Sequence, residues 1–313
     1  MKTLVTLSDK HYLDRGIALY ESIEKLMKID YKLYYLCLDK VTFNKLKEIN
    51  NEKLIPLYIK DEFHNNKDFD ILVKSNISIP NGHSDYHFAL GSFFTNHIME
   101  KESPEEILYI DADIIFYYSP EIVFKYTKDK SIGLILHRHN HIGAKVGGFN
   151  VGIIYFNNNI VGRKCLKWWR DIVMNKNDKW YITHGIREDD LFKNCVHLPE
   201  LNNFAGDQKC LESFEQLFGK ENIKILDEDM GHGAPWNFTL YEYFNEKRVI
   251  RWNGVVQALV FNHFSHFIYN EDSYSVDRDE EWREFKLLEN LAIKRYYDKY
   301  FEILKDVKQR YKL

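Results

Sequence analysis

The stretch EEILYIDADIIFYYSP, residues 105–120, sets two aspartates, Asp111 and Asp113, one residue apart inside an apolar run. Ile107, Leu108 and Ile110 precede them; Ile114, Ile115 and Phe116 follow. An ionised carboxylate is costly to bury unless something compensates its charge. The run 106–111 has the length and composition of a buried strand, so the pair falls at or just past its carboxyl end. Residues i and i+2 of an extended chain point the same way, about 6–7 Å apart. Two carboxylates so placed can bracket one ion. Hard divalent cations such as Mg2+ and Mn2+ take oxygen ligands and share them with phosphates.

Upstream, the spacing predicts a strand over 3–7, a helix over 13–27, a strand over 32–38, a helix over 41–49 and a strand over 53–59. Pro56 marks that last strand as an edge or strained position. Such alternation implies a parallel sheet covered by helices. Ligands bind at the carboxyl edge of such a sheet, where the aspartates fall. Residues 60–85 read as a polar, irregular excursion, and 86–101 as a helix ended before Pro104. Downstream, strands are expected over 131–137, 147–157 and 223–226, and helices over 162–174 and 207–218. Residues 181–206 read as loop-rich, 231–238 as a turn-rich loop, and 258–267 as an apolar run carrying two histidines. A long helix from about Glu280 ends the chain.

The 313 residues suffice for one large domain or two small ones, and 45% hydrophobic with 15% aromatic residues can build a core. A net charge of -4 gives no global basic field, so bulk nucleic-acid binding is not implied. Cys37, Cys165, Cys195 and Cys210 are scattered without CxxC spacing, which suits free thiols in a reducing compartment. The N-terminal apolar run before Ser8 is too short for a signal peptide, and no run approaches the roughly 18 residues of a membrane span. The expectation is a soluble cytoplasmic protein.

LYIDADIIF (108–116) resembles the metal-binding DxD segment of GT-A glycosyltransferases, which use nucleotide-diphosphate sugars. FNVGIIYFNN (149–158), CLKWWRDI (165–172), GDQKCLESF (206–214), GAPWNF (233–238) and FNHFSHF (261–267) follow in that order, with the pair His137-Arg138 before them. Together, over nearly the whole chain, they resemble a bacterial group of nucleotide-diphospho-sugar transferases related to glycosyltransferase family 8. The resemblance implies an α/β fold of GT-A (Rossmann-like) type: a mixed, mostly parallel sheet flanked by helices, with a long C-terminal helix. Residues 1–279 would form the transferase domain and 280–313 a basic, aromatic helical tail.

The resemblance also implies roles. Asp111 and Asp113 would bind Mn2+ or Mg2+, with His263 in FNHF completing the site and His232 in GHGAPW its rival. Thr6, Ser8, Asp9 and Tyr12 follow the first strand, where relatives hold base and ribose; a plainer role for Ser8 or Asp9 is to cap the next helix. Asn150 and Gly152 of FNVG would lie against the donor, the asparagine for sugar hydroxyls and the glycine for close backbone approach. Asp207 and Gln208 would lie by the donor sugar as the catalytic pair. Arg138 would reach phosphate, unless it serves a surface salt bridge, and Trp236 would face ligand. Trp168 and Trp169 read as core.

The implied reaction transfers a sugar from a nucleoside diphosphate, UDP being the expected carrier, to an acceptor hydroxyl in cell-surface glycan synthesis: lipopolysaccharide, capsule or O-antigen. Family 8 relatives retain configuration; an inverting enzyme would need a base, for which Asp207, Glu188, Asp189 and Asp190 are open. The longer path over 184–203 departs from the group, so acceptor identity does not carry over. The segment 291–313 has seven Lys/Arg against three acids plus aromatics, a pattern that fits peripheral contact with the inner membrane face and a lipid-linked acceptor, or a surface helix packed on the body. Two other classes compete: a non-catalytic nucleotide-sugar or glycan binder of the same fold, and a HAD-type phosphatase. The latter places its DxD on the first strand, whereas Asp111 is a third of the way in.

Overall fold

The structure, a computed structural model, describes residues 1–77, 82–138, 147–174, 208–244, 248–276 and 286–313. The chain opens with β1 (Lys2–Ser8), α1 (Leu13–Leu26), β2 (Tyr31–Cys37), α2 (Lys40–Glu48) and β3 (Leu54–Tyr58). Helices α3 (Ile59–Glu62), α4 (Lys67–Ile77) and α5 (Gly82–Glu102) lead into β4 (Glu106–Ile110) and β5 (Ile114–Phe116). Then come α6 (Glu121–Tyr126), β6 (Ile132–Leu136), β7 (Phe149–Asn157) and α7 (Ile160–Met174). After α8 (Phe214–Phe218) follow the short strands β8 (Ile223–Ile225), β9 (Gly231–Gly233), β10 (Glu242–Phe244) and β11 (Val249–Trp252). The long β12 (Val255–His263), the hairpin β13 (Ile268–Tyr269) and β14 (Tyr274–Ser275), and α9 (Leu291–Tyr311) complete the chain.

The main sheet runs β3-β2-β1-β4-β7-β6-β8. β1 pairs in parallel with β2 and β4, Leu4 facing Leu33 on one side and Leu108 on the other. β3 is an edge, as Pro56 predicts, with Pro56 opposite Tyr35. β7 runs antiparallel to β4 and β6, while β8 is parallel to β6. Alternate residues of the central strands feed two different cores. Leu4, Leu33, Leu108, Ile110 and Tyr155 join α1 and α9 on one face; Val5, Tyr34, Ile107, Tyr109 and Phe156 join α5, α7 and α8 on the other. A strand buried on both faces reads as a continuous apolar run, which is why these strands are legible.

A second sheet, β10-β11-β12-β5 with β9 on β12, meets the first at Asp111–Asp113, because that tripeptide alone separates β4 from β5. β5 pairs antiparallel with the end of β12, Ile114 opposite His263. The Asp111 amide donates to the Gly152 carbonyl (2.9 Å), and the Phe264 amide donates to the Asp113 carbonyl (2.9 Å). The two-aspartate turn is thereby tied to β7 and to the segment after β12.

Several boundaries differ from expectation. The excursion at 60–85 holds α3, α4 and the start of α5. Its helices are short and anchored by few apolar side chains, such as Phe63 and Leu72, so no period shows. Asn66 caps α4 by accepting from the Phe69 amide (3.0 Å). The helix expected at 207–218 is a 3-10 turn, Lys209–Ser213, leading into α8, and the turn-rich 231–238 contains β9. The long C-terminal helix starts at Leu291; the expected boundary at 279/280 lies outside the described residues. The segments 181–206 and 184–203 also lie outside them.

Helix α9 is a working part of the body. Ile293, Tyr297, Tyr300, Phe301, Leu304 and Val307 are buried in the core shared with α1. Tyr300 stacks on Phe264, centroids 3.9 Å apart. The apolar face that a bilayer would need is therefore spent inside the protein, and the structure gives no support to the expected membrane contact. Among the described residues no helix is long and apolar enough to cross a membrane.

Candidate functional site

Asp111, Asp113 and His263 each offer a ligand atom, and these atoms lie within 4.8 Å of one another. His263 Nε2 is 3.0 Å from Asp113 Oδ1 and 3.6 Å from Asp111 Oδ2. Two lone pairs cannot face each other at 3.0 Å, so a cation, proton or metal, belongs between them. The ionisation of the group says the same. Burial pushes the Asp111 carboxyl up to about 6. Burial also opposes ionising Asp113, yet the charge and hydrogen bond of His263 hold it below its ordinary value. Burial disfavours charging His263, but Asp113 raises it. The pocket draws in positive charge, which suits a divalent ion. Two carboxylates and an imidazole fit Mn2+ or Mg2+ as donors.

Neighbours hold these groups in place. Tyr109, two residues before Asp111, donates its hydroxyl to Asp111 Oδ1 (2.7 Å) and packs edge-on against Trp169. Gly152 lies so close to the His263 ring that a Cβ there would stand 2.7 Å from Nδ1. Trp236 is edge-on to His263 (5.4 Å) and to His137 (5.3 Å). Asn150, buried, accepts from the Gly152 amide (2.9 Å), and its Nδ2 lies 3.1 Å from His137 Nε2 and 3.3 Å from Gln208 Oε1. One packed line thus runs from the metal group through Trp236 and His137 to Gln208. Gly147, at φ 102°, supplies the carbonyl that His137 Nδ1 meets at 2.7 Å; a side chain there would strain the turn.

Of the expected site residues, Asp111, Asp113, His263, Gly152, Asn150, Trp236 and Gln208 are brought together. Asp207, Glu188, Asp189 and Asp190 lie outside the described residues. Asp9 and Tyr12 lie at the surface end of β1. Asp9 Oδ1 accepts from the amides of His11 (2.9 Å) and Tyr12 (3.2 Å) in the turn before α1, whose N-cap is Tyr12 rather than Ser8 or Asp9, and Tyr12 lies over the Arg15 guanidinium (4.3 Å).

Four residues are placed otherwise than expected. Thr6 is enclosed in the sheet, and Ser8 shares a 2.6 Å hydrogen bond with the Tyr35 hydroxyl; both point into the fold. Arg138 does not face a phosphate. Its wholly buried guanidinium pairs with Asp227 (2.6 Å), lies over Trp252 (3.9 Å) and donates to Tyr241 (3.2 Å) and Gln257 (3.2 Å). His232, the rival ligand, belongs to the same buried network: its Nε2 meets the Leu136 carbonyl (3.0 Å) and Asp227 (3.2 Å). His263 is thus the histidine that joins the aspartates. Trp168 and Trp169 are core, as expected. Cys37, Cys165 and Cys210 are buried; Cys195 lies outside the described residues.

Sequence reading gave no role to Tyr109, and it named His137 only as half of the His137-Arg138 pair. The i, i+2 relation of Tyr109 to Asp111 was available in the strand pattern; the contact of His137 with Asn150, 13 residues apart in sequence, was not.

A mostly parallel sheet flanked by helices, with one antiparallel strand and a C-terminal helix, is the GT-A fold of glycosyltransferases. Mouse xyloside xylosyltransferase 1, apo form, superposes with a TM-score of 0.51 at 14% identity, over 84% of this chain and 96% of that one. The galactosyltransferase LgtC, in complex with donor and acceptor sugar analogs, gives 0.51 at 14% identity, over 97% and 95%. In sequence, the chain is 23% identical over 275 residues to the uncharacterized protein YfnF of Bacillus subtilis (strain 168), covering 83% of this chain and 80% of that protein. No protein-family model matches the chain.

Proposed function

We propose that this chain is a metal-dependent glycosyltransferase that moves a sugar from a nucleoside diphosphate, UDP in the first instance, to an acceptor hydroxyl. The observation that carries the reading is the convergence of Asp111, Asp113 and His263 at the carboxyl edge of a GT-A sheet. A divalent ion held there would neutralise the diphosphate and stabilise the charge it gains on leaving. The protein's own residues do the rest. Tyr109 and Gly152 orient the ligands, Trp236 backs His263, and Asn150 holds Gln208 beside the site. Asp9 and Tyr12 would meet base and ribose beyond β1, and Asp207 would complete the donor-sugar pocket with Gln208. The acceptor belongs to a cell-surface glycan assembled from the cytoplasmic side, with its specificity set by the segment 184–203.

A thermal-shift screen of nucleotide sugars with and without Mn2+ tests this, since a ligand that binds the native state raises the midpoint. The expected result is a Mn2+-dependent shift with one UDP-sugar, lost in Asp113→Asn, whose folded state is retained. An equal shift in the variant, or none with any nucleotide, refutes the assignment.

A further inference from the structure

The hydrogen bonds around Asn150 can be polarised one after another, starting from the backbone. The Gly152 amide can only donate, so the Asn150 oxygen at 2.9 Å is the acceptor and Nδ2 is the opposite end. Nδ2 carries two hydrogens and no lone pair. His137 Nε2 at 3.1 Å and Gln208 Oε1 at 3.3 Å must therefore both accept. A His137 that accepts at Nε2 carries its proton on Nδ1, and Nδ1 faces the Gly147 carbonyl at 2.7 Å, which can only accept. Both ends of the imidazole give the same answer. Neutral His137 with Nδ1–H is the state in which both ring contacts are hydrogen bonds.

The polarity ends at Gln208. Its oxygen is turned to Asn150, so the end of the amide turned away is its nitrogen, with two N–H donors. Asn150 and Gly152, two apart on β7, share a face, and the His263 ring lies against Gly152 on that face. Trp236 wedges between His263 and His137, which fixes the imidazole edge-on. Gln208 is thereby tied through Asn150 to the strand face that carries Gly152 and His263, with its nitrogen as the end turned away from Asn150.

We propose that His137 and Asn150 are positioning residues that lock the Gln208 amide with its nitrogen toward the donor sugar, so that this chain selects a sugar by an acceptor oxygen at that point. The assignment rests on the glycosyltransferase reading for the identity of the ligand, but not for the relay itself.

Asn150→Asp reverses the relay. One carboxylate oxygen still accepts from Gly152, while the other can only accept from His137 and Gln208, which forces the Gln208 nitrogen inward. Histidine 15N spectra of the full chain, with His137 assigned against His137→Asn, read the tautomer without any ligand. The expected state at pH 7 is neutral Nδ1–H in the wild type and doubly protonated in Asn150→Asp. An Nε2–H wild type overturns the relay. Calorimetry with Mn2+ and UDP, UDP-glucose or UDP-galactose reads the second half. Asn150→Asp should weaken the bound sugar nucleotide by about tenfold or more while leaving UDP within about threefold. Gln208→Met, a change at a half-buried position that removes the donors together with the oxygen that meets Asn150, should weaken it by about three- to tenfold. Equal losses for UDP and the sugar nucleotide, or none in Gln208→Met, overturn the sugar-facing assignment. A wild type that binds neither overturns the transferase reading and that assignment together, and the histidine spectra still decide the relay.

Discussion

Gly152→Ala asks for one methyl group where there is no room. The added Cβ would lie 2.7 Å from Asn150 Oδ1, 2.7 Å from His263 Nδ1 and 3.1 Å from His263 Cε1. Ordinary contact requires the ring or the backbone to retreat by roughly 0.7 Å. His263 is 5% exposed and lies edge-on to Trp236, so neither side yields easily. Overpacking of this kind costs about 1–3 kcal/mol. The effect on the metal should be larger in proportion, because metal–ligand distances tolerate only about 0.2 Å. Losing the orientation of one ligand typically weakens binding by about 10–100-fold. At Mn2+ near 100 times the wild-type Kd, metal stabilises the native state by about 2.7 kcal/mol, which a 30-fold loss cuts to about 0.9 kcal/mol. Urea unfolding in EDTA isolates the packing cost, and the same titration with Mn2+ isolates the metal term. An unchanged metal increment in a destabilised variant would show that His263 lies outside the metal's ligand shell. An unchanged stability would show that the cradle is looser than its distances.

Other perturbations separate the parts of the molecule. Tyr109→Phe removes the donor that orients Asp111 and should weaken Mn2+ by roughly three- to tenfold with little change in metal-free stability; calorimetry checks both. Arg138→Met leaves Asp227 buried without its arginine and should cost about 3–5 kcal/mol in urea unfolding. If instead it weakened UDP binding at full stability, the phosphate role would be restored. Tyr300→Ala should cost about 3–5 kcal/mol and loosen Asp113 through Phe264, and a chain lacking 291–313 that still folded and bound Mn2+ would refute the role of α9. Glu62, hydrogen-bonded by His97 (2.6 Å) and Lys101 (2.5 Å), is held down to about 2 from the ordinary 4.5. A depressed carboxyl stabilises the fold above 4.5 and loses that contribution as pH falls toward 2. Glu62→Gln should thus lose about 1 kcal/mol at pH 7, after solvent screening, and converge on the wild type near pH 2. A gap that persisted at pH 2 would disprove the linkage.

The central strands were legible because burial on both faces leaves a continuous apolar run, as in 3–7, 32–38 and 106–110. The aspartate turn was legible because polar residues interrupt such a run only where the strand ends. The excursion at 60–85 was not, since α3 and α4 are anchored by one or two residues each rather than by a long periodic face. The direction of Thr6 and Ser8 was not legible either: a strand's sequence states which residues share a face, not which face meets the ligand.

The sequence by itself determined the alternating sheet, the place of Asp111 and Asp113 at its edge, and a short set of histidines able to join them. Those are local matters of period, strand length and charge. The tertiary structure decided which histidine serves. β12 runs antiparallel to β5 and sets His263 beside Asp113, while β9 places His232 against Asp227 and leaves Arg138 in the same buried network. It also gave α9 an inward use for its aromatic face and joined His137 to Gln208 through Asn150. Each of these depends on pairing between residues far apart in the chain, and no local period records which distant strand or helix will arrive.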